Sequence, residues 1–266
     1  MIRGRLFVRA VAILFTATCS FSQSTLGTQL AELVSLRDKV ASPDTRVRVD
    51  ATHRVWTIAL ASTDSDVKLS ALKLLAEPVG SASDHIRMPA VYAIAEIANS
   101  TEDPRVKIQA LNTLGEPLQA GQVPIRDAAI DAVNSITRSG RQNDVALTAV
   151  KALGAPVRSG NNGVRIPAIN AIVRAVEAGP GDAACQAALD SLIAPLDSAA
   201  AIGGMEVRMM AVVAVERVGL TASEIGTKAR AMGLMQSYGS KGGWEPEAQR
   251  RAQQAASNIQ NSMKKP

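Results

Sequence analysis

The sequence has few of the side chains on which most catalytic and metal sites depend. Its 266 residues include two histidines, two cysteines and only 3% aromatic residues. A zinc site of the usual kind needs four His, Cys or carboxylate ligands at set spacings, and no such cluster is found. GxSxG, P-loop, HExxH and dinucleotide-binding motifs are absent as well. We therefore expect no catalysis, no cofactor and no bound metal.

The first 22 residues are typical of a secretory signal peptide. Three arginines precede the short apolar stretch AVAILFTA, and Ser20 and Ser22 occupy the −3 and −1 positions of a small-x-small cleavage site. We expect cleavage near Ser22-Gln23, a single domain over 23–266, and a secreted or periplasmic protein. The alternative is the frayed N-terminal helix of a cytosolic protein.

Loss of this leader changes the charge and the cysteine count. The formal net charge falls from +5 to +2 because the leader carries three arginines and no acid. Such a small charge does not predict a nucleic-acid partner. Cys185 remains as a lone cysteine without a disulfide, which indicates a small apolar residue within a helix. Lipidation at Cys19 is the alternative, but the apolar residue usually found three positions earlier is missing. No segment is long and apolar enough to predict a membrane span.

The remainder of the chain is an internal repeat. Nine windows of 13 residues align at intervals of 19 or 20 residues, except for a last step of 23 that indicates an insertion near 199–204. Window position 5 is alanine in all nine, position 9 is Val, Leu or Ile, and position 1 is apolar. The windows begin at Val47, Val67, Ile86, Val106, Ile125, Val145, Val164, Ala184 and Val207.

Apolar residues at positions 1, 5, 6 and 9 fall on one stripe of an α-helix. Alanine at the centre of this stripe predicts that neighbouring helices approach closely, while larger aliphatic residues fill the grooves on either side. The windows alternate in kind, so the true unit is a pair of helices about 39 residues long. We expect the first helix of each pair to end or kink at its proline. These prolines are Pro78, Pro117, Pro156 and Pro195.

The second helix of each pair mostly opens with an apolar-Arg dipeptide. Weaker copies of the repeat flank the clear ones, with an opening helix at 26–40 and a closing pair at 225–238 and 247–259. The last helix is more polar, as suits a terminal cap whose outer face meets water. The count is about six pairs and twelve helices.

The unit length, the alternating proline-marked and Val-Arg-marked helices and the mid-helix alanine resemble HEAT repeats of the short bacterial type. The resemblance implies an all-α fold, a right-handed α-solenoid of about six HEAT-like helix pairs with capping terminal helices. It also implies that the second helices line a concave surface, which in such proteins commonly binds another protein.

Two further groups of residues follow the repeat. The arginine ladder is either a basic stripe for an acidic partner or an internal structural ladder, and Asp44 and Asp84 are the expected internal partners of its first two members. The second-helix row occupies window position 7 and varies in chemistry where the core does not. The ladder consists of Arg48, Arg87, Arg126, Arg165 and Arg208, and the row of His53, Tyr92, Asp131, Asn170 and Val213.

Three aromatic residues are candidate partner contacts. Trp56 and Tyr92 are the first choice, because aromatic residues are enriched at interface hot spots, although both could pack between repeats. Trp244 lies in the glycine-rich segment before the last helix. It is either an exposed recognition residue or a residue folded back over the end of the core.

These features favour an exported, monomeric scaffold or adaptor that binds an unidentified protein or peptide without catalysing a reaction. One alternative is a HEAT-like enzyme or enzyme subunit similar to bilin lyases or DNA alkylpurine glycosylases, which the leader and the low charge disfavour. The other is a purely structural element of the cell envelope.

Overall fold

The computed structural model describes residues 26–120, 122–197 and 204–264, and these form twelve α-helices, one short 3-10 helix and no strand. The predicted leader and most of the predicted insertion lie outside them. The α-helices are α1 (26–40), α2 (Thr45–Ala61), α3 (Ser65–Val79), α4 (Asp84–Asn99), α5 (Pro104–Thr113), α6 (Val123–Ser139), α7 (Asn143–Val157), α8 (Asn162–Ala178), α9 (Asp182–Leu196), α10 (Gly204–Thr221), α11 (Ile225–Gly239) and α12 (Pro246–Met263).

The helices stack as an open, two-layer solenoid. From α2 onward, every substantial contact between described helices joins elements one or two positions apart in the chain. The second helices α2, α4, α6, α8, α10 and α12 each contact the next of their kind, and so do the first helices α3, α5, α7, α9 and α11. Neighbour-only contact of this kind defines a repeat solenoid, so the prediction of an all-α solenoid is confirmed.

The core consists of the stripe that the repeat predicts. All nine alanines at window position 5 are at most 3% exposed, and all nine aliphatic residues at position 9 are fully buried. Position 1 is also buried, except for Val47 at 38% exposed. Val47 lies in the first turn of α2, which has no earlier second helix to cover it.

The prolines end the first helices, as predicted. Pro78, Pro156 and Pro195 are each the penultimate residue of their helix. In the remaining pair, α5 stops earlier at Thr113, and Pro117 opens the 3-10 helix Pro117–Gln119. A proline near a helix end removes little hydrogen bonding but prevents propagation, because its ring clashes with the preceding turn.

Short polar turns fix where the next helix begins. Asp44, Asp64 and Asp103 accept hydrogen bonds from backbone N–H groups in the first turns of α2, α3 and α5. Such caps satisfy donors that lack a partner within the helix. None of the described helices has a stretch long and apolar enough for a membrane crossing.

Candidate binding surface

The arginine ladder reaches from one repeat to the next. Arg87 Nη1 donates to Gln122 Oε1 at 3.3 Å, and Arg126 Nη1 donates to Ser159 Oγ at 3.4 Å. In both pairs the acceptor lies just before the following second helix. The side chains therefore tie successive second helices together at their N-terminal ends.

The other ladder members are also held by the fold or half-buried in it. Arg208 is 2% exposed and its Nη2 lies 3.0 Å from Glu245 Oε1, again just before the next second helix. Arg165 Nε donates to the carbonyl of Val157 at 3.3 Å, and burial lowers the pKa of its guanidinium from the ordinary value. Arg48 is half-buried. This geometry favours the internal, structural interpretation of the ladder.

Neither of the expected carboxylates forms an ion pair with its arginine in the described part of the chain. Asp44 caps α2 through the backbone N–H groups of Arg46 and Val47. Asp84 lies in the first turn of α4, and the hydrogen bond of Arg87 goes to Gln122 instead. The interaction is between repeats rather than within one, because the arginine extends across the gap between stacked helices.

The second-helix row is exposed over part of its length. His53, Tyr92 and Asp131 are exposed, whereas Asn170 and Val213 are half-buried. Tyr92 is the most prominent, at 57% exposed. An exposed tyrosine on a rigid helix offers a large amphipathic contact at low entropic cost.

Trp56 lies beside the row and is half-buried against its neighbours. Its ring meets His53 edge-on, with 5.2 Å between ring centroids and an interplanar angle of 87°. The Trp56 Nε1 atom is buried and has no hydrogen-bond acceptor within the described residues. Trp56 therefore serves mainly in packing, and it supports His53 at the surface.

Trp244 adopts the folded-back arrangement, and its exposed alternative is not seen. It is 8% exposed and lies against Tyr238, with ring centroids 5.0 Å apart and an angle of 31°. The guanidinium of Arg208 lies 5.8 Å from the centre of the Trp244 ring. With Glu245, these three residues form what we call the C-terminal cluster, which closes the end of the stack and leaves Trp244 no free face for a partner.

Two buried lysines are structural residues that the sequence did not reveal. Lys107 is fully buried, and its Nζ donates to the carbonyl of Ser139 at 2.7 Å. Lys68 donates in the same way to the carbonyl of Ser100 at 2.9 Å, and burial lowers the pKa of its ammonium group. Each lysine stands at window position 2 of a first helix and binds the C-terminal end of the second helix in its own pair, where a cation also complements the helix dipole.

Cys185 is buried within α9, as the sequence predicts. Burial, with a smaller contribution from Asp182, raises the pKa of its thiol to about 11. A thiol of this kind carries very little thiolate at neutral pH, and the thiolate is the reactive form. Cys185 is therefore a core residue rather than a nucleophile.

Three further arginines form a surface feature that sequence analysis did not single out. Arg138, Arg141 and Arg174 line an open cleft of about 650 Å³ at the C-terminal ends of α6 and α8. The cleft is completed by Glu177, Ala178 and Pro180. We call it the arginine cleft.

Comparisons with known proteins give likeness only at the level of fold. No protein-family model matches the chain, and no curated protein matches it. Among solved structures, it is similar to an archaeal HEAT-like repeats protein from Thermococcus onnurineus, with 12% identity, 91% of this chain and 93% of the other covered, and a TM-score of 0.49. The chain has a HEAT-like repeat fold. Its stacked helix pairs, each in contact only with its neighbours, define this fold.

Designed armadillo repeat proteins show a comparable likeness. One shares 23% identity over 85% of this chain and 99% of its own, with a TM-score of 0.48. Another, solved in complex with the peptide (KR)4, shares 22% identity over 86% of this chain and 99% of its own, with a TM-score of 0.46.

Proposed function

We propose that this chain is a non-catalytic scaffold that binds a protein or peptide through the surface of its second helices. The observation that carries the proposal is the contrast between two positions of the same helices. Position 5 is alanine and buried in all nine windows, whereas position 7 differs in every second helix of the row and is exposed at His53, Tyr92 and Asp131. The constant, buried alanine thus serves the stacking of the helices. The side chains at position 7 are free to vary, so they can be suited to the recognition of a partner.

The architecture suits binding by a preformed surface. Each second helix is fixed by its neighbours and by ladder contacts such as those of Arg87 and Arg126. A rigid surface loses little conformational entropy when a partner docks, so modest contacts add up to useful affinity. The ladder itself serves as support for this surface rather than as the contact.

Site-specific photo-crosslinking tests this proposal. A photoreactive amino acid at position 92 should capture a discrete set of protein or peptide partners in the native host. The matched control carries the same amino acid at position 225 and should not capture that set. Ile225 is 66% exposed and lies on α11, which is the first helix of its pair. Tyr92→Ala should weaken association with a captured partner by about tenfold or more, as truncation of an aromatic hot spot does. Equal capture at both positions would contradict the assignment of the surface.

We also propose that the protein is exported. The support is the order of three arginines, a short apolar stretch and a small-x-small site within the first 22 residues. N-terminal sequencing of the protein isolated from host fractions should find a chain that starts at Gln23 in the secreted or periplasmic fraction. A cytosolic chain that starts at Met1 would overturn the proposal and favour an intracellular role.

A further inference from the structure

We propose that the arginine cleft binds a carboxylate-rich peptide segment of the partner, an inference that rests on the proposed binding function and gives the partner its chemistry. The cleft is lined by Arg138 at the end of α6, Arg141 in the following loop and Arg174 on α8. Its volume of about 650 Å³ exceeds the need of one carboxylate and suits several side chains of a peptide.

The side chains converge because of the helix register. Asn99 Nδ2 donates to Ser135 Oγ at 2.6 Å across the two neighbouring second helices α4 and α6, which are 36 residues apart at these positions. Arg138 and Arg174 are separated by the same interval on the next two helices, α6 and α8. The stacking that joins Asn99 to Ser135 therefore places Arg138 beside Arg174, and the loop after α6 adds Arg141.

These three cations are not neutralised by the described part of the protein. No side-chain hydrogen bond or ion pair joins Arg138, Arg141 or Arg174 to another described residue, unlike Arg54 and Arg230, each of which is paired with a carboxylate. The acid in the cleft, Glu177, is already bound by Arg217, whose Nη2 lies 2.5 Å from its Oε1. The cleft thus keeps an excess of positive charge directed at solvent.

The surroundings favour carboxylates on a peptide over a nucleic-acid backbone. A planar guanidinium matches a carboxylate through two parallel hydrogen bonds. The second-helix row contains the exposed acid Asp131 on the same helix as Arg138, and Glu96 is exposed on α4. Both would repel a continuous chain of phosphates, but a peptide can place neutral or basic residues there and acidic residues in the cleft. Tyr92 offers such a peptide an aromatic contact in the same layer.

Fluorescence anisotropy tests the inference. The protein is used in the form in which it is isolated from its host. The probe is a labelled eight-residue peptide rich in Asp and Glu, and the comparison peptide has Asn and Gln at the same positions. We expect the acidic peptide to bind and the comparison peptide not to bind. The affinity for the acidic peptide should fall as the salt concentration rises, because exposed charges are screened. The variant Arg138→Gln/Arg141→Gln/Arg174→Gln should bind at least about tenfold more weakly, since three charge-assisted contacts are removed.

A charge-matched variant controls for general attraction. Arg46→Gln/Arg158→Gln/Arg250→Gln removes the same charge from exposed arginines outside the cleft and should keep affinity to within about twofold. Equal losses in both variants would overturn the cleft as the site. Tighter binding of inorganic tripolyphosphate or of a single-stranded oligonucleotide than of the peptide would overturn its assignment to carboxylates.

The fold and the proposed function can be tested separately from the cleft. Circular dichroism should show unchanged helicity in the triple variant, and the single change Arg174→Gln provides the same comparison if the triple variant is destabilised. Partner capture at position 92 is measured with the cleft arginines intact, so it tests the proposed function whatever the chemistry of the cleft's ligand. Failure of peptide binding with intact capture at Tyr92 would overturn this inference alone.

Discussion

Replacing Arg208 with alanine is expected to lower the free energy of unfolding by about 2–4 kcal/mol, which is large for one side chain. Arg208 is buried, its Nη2 lies 3.0 Å from Glu245 Oε1, and it covers the ring of Trp244. The substitution leaves the Glu245 carboxylate without its cation. The other carboxylate oxygen, Oε2, is already buried and has no hydrogen-bond partner among the described residues. Removing one member of such a pair costs more than the pair itself contributes.

The effect should be localised at the C-terminal end. Tyr238 and Trp244 connect α11 to the start of α12, so loss of Arg208 loosens the final pair first. Urea unfolding followed by circular dichroism gives the free energy, and the emission of Trp244 should shift to longer wavelength as its ring becomes hydrated. In a stack held by neighbour contacts, the earlier repeats should keep their helicity.

Arg230→Ala is the matched control for this prediction. Arg230 is also paired with a carboxylate, that of Asp190, but both side chains are substantially exposed. Exposed ion pairs contribute about 0–1 kcal/mol because water and salt screen them. A loss for Arg208→Ala no greater than that for Arg230→Ala would show that the C-terminal cluster does not stabilise the end of the solenoid.

The helices and their buried faces could be predicted from sequence because one period determines both. The interval of 19 or 20 residues returns the same window position to each helix, so an alanine such as Ala71 and an aliphatic residue such as Leu75 repeat in register. The structure buries both completely. The ends of helices could also be predicted where a proline follows the apolar stripe, as at Pro78 and Pro156.

Contacts between repeats could not be predicted, because they depend on the offset between stacked helices. Asp84 is close to Arg87 in sequence, yet Arg87 reaches Gln122, which is 35 residues away. Lys68 and Lys107 share window position 2 with the arginine ladder, but the later first helices carry Ala146 and Cys185 there, so the position did not mark them as buried donors to helix-end carbonyls. In each case the side chain is long enough to cross to another element, and sequence adjacency is a poor guide to its partner.

The arginine cleft was overlooked for a related reason. Arg138 lies one residue past the end of its 13-residue window, whereas Arg174 is at position 11 of its own, so alignment of the repeats does not superpose them. A usable signal was available in their separation of 36 residues, the interval at which Asn99 meets Ser135. Like charges separated by 36 residues, the interval between contacting residues on neighbouring second helices, therefore indicate such a cleft better than like charges at the same position of the repeat.

Ala149→Leu is expected to destabilise the protein by roughly 1–3 kcal/mol through overpacking. Ala149 is fully buried at position 5 of α7, the helix that contacts both α5 and α9 in its own layer as well as α8. Interior side chains pack at crystal-like density, so three additional carbon atoms force neighbouring helices apart or into poor rotamers. Close approach at these interfaces is evident at Gly219, where an added Cβ would lie 2.8 Å from the Cβ of Ala231.

Ala76→Leu makes the same change at an exposed position of α3. It should alter the free energy of unfolding by no more than about 0.5 kcal/mol, because alanine and leucine are both good helix formers and nothing covers the site. Thermal and urea melts of the two variants beside the unaltered protein measure the difference. If Ala149→Leu melted like Ala76→Leu, the helices would not be spaced by the alanine. The nine alanines would then reflect helix propensity rather than the close stacking on which the exposed second-helix surface depends.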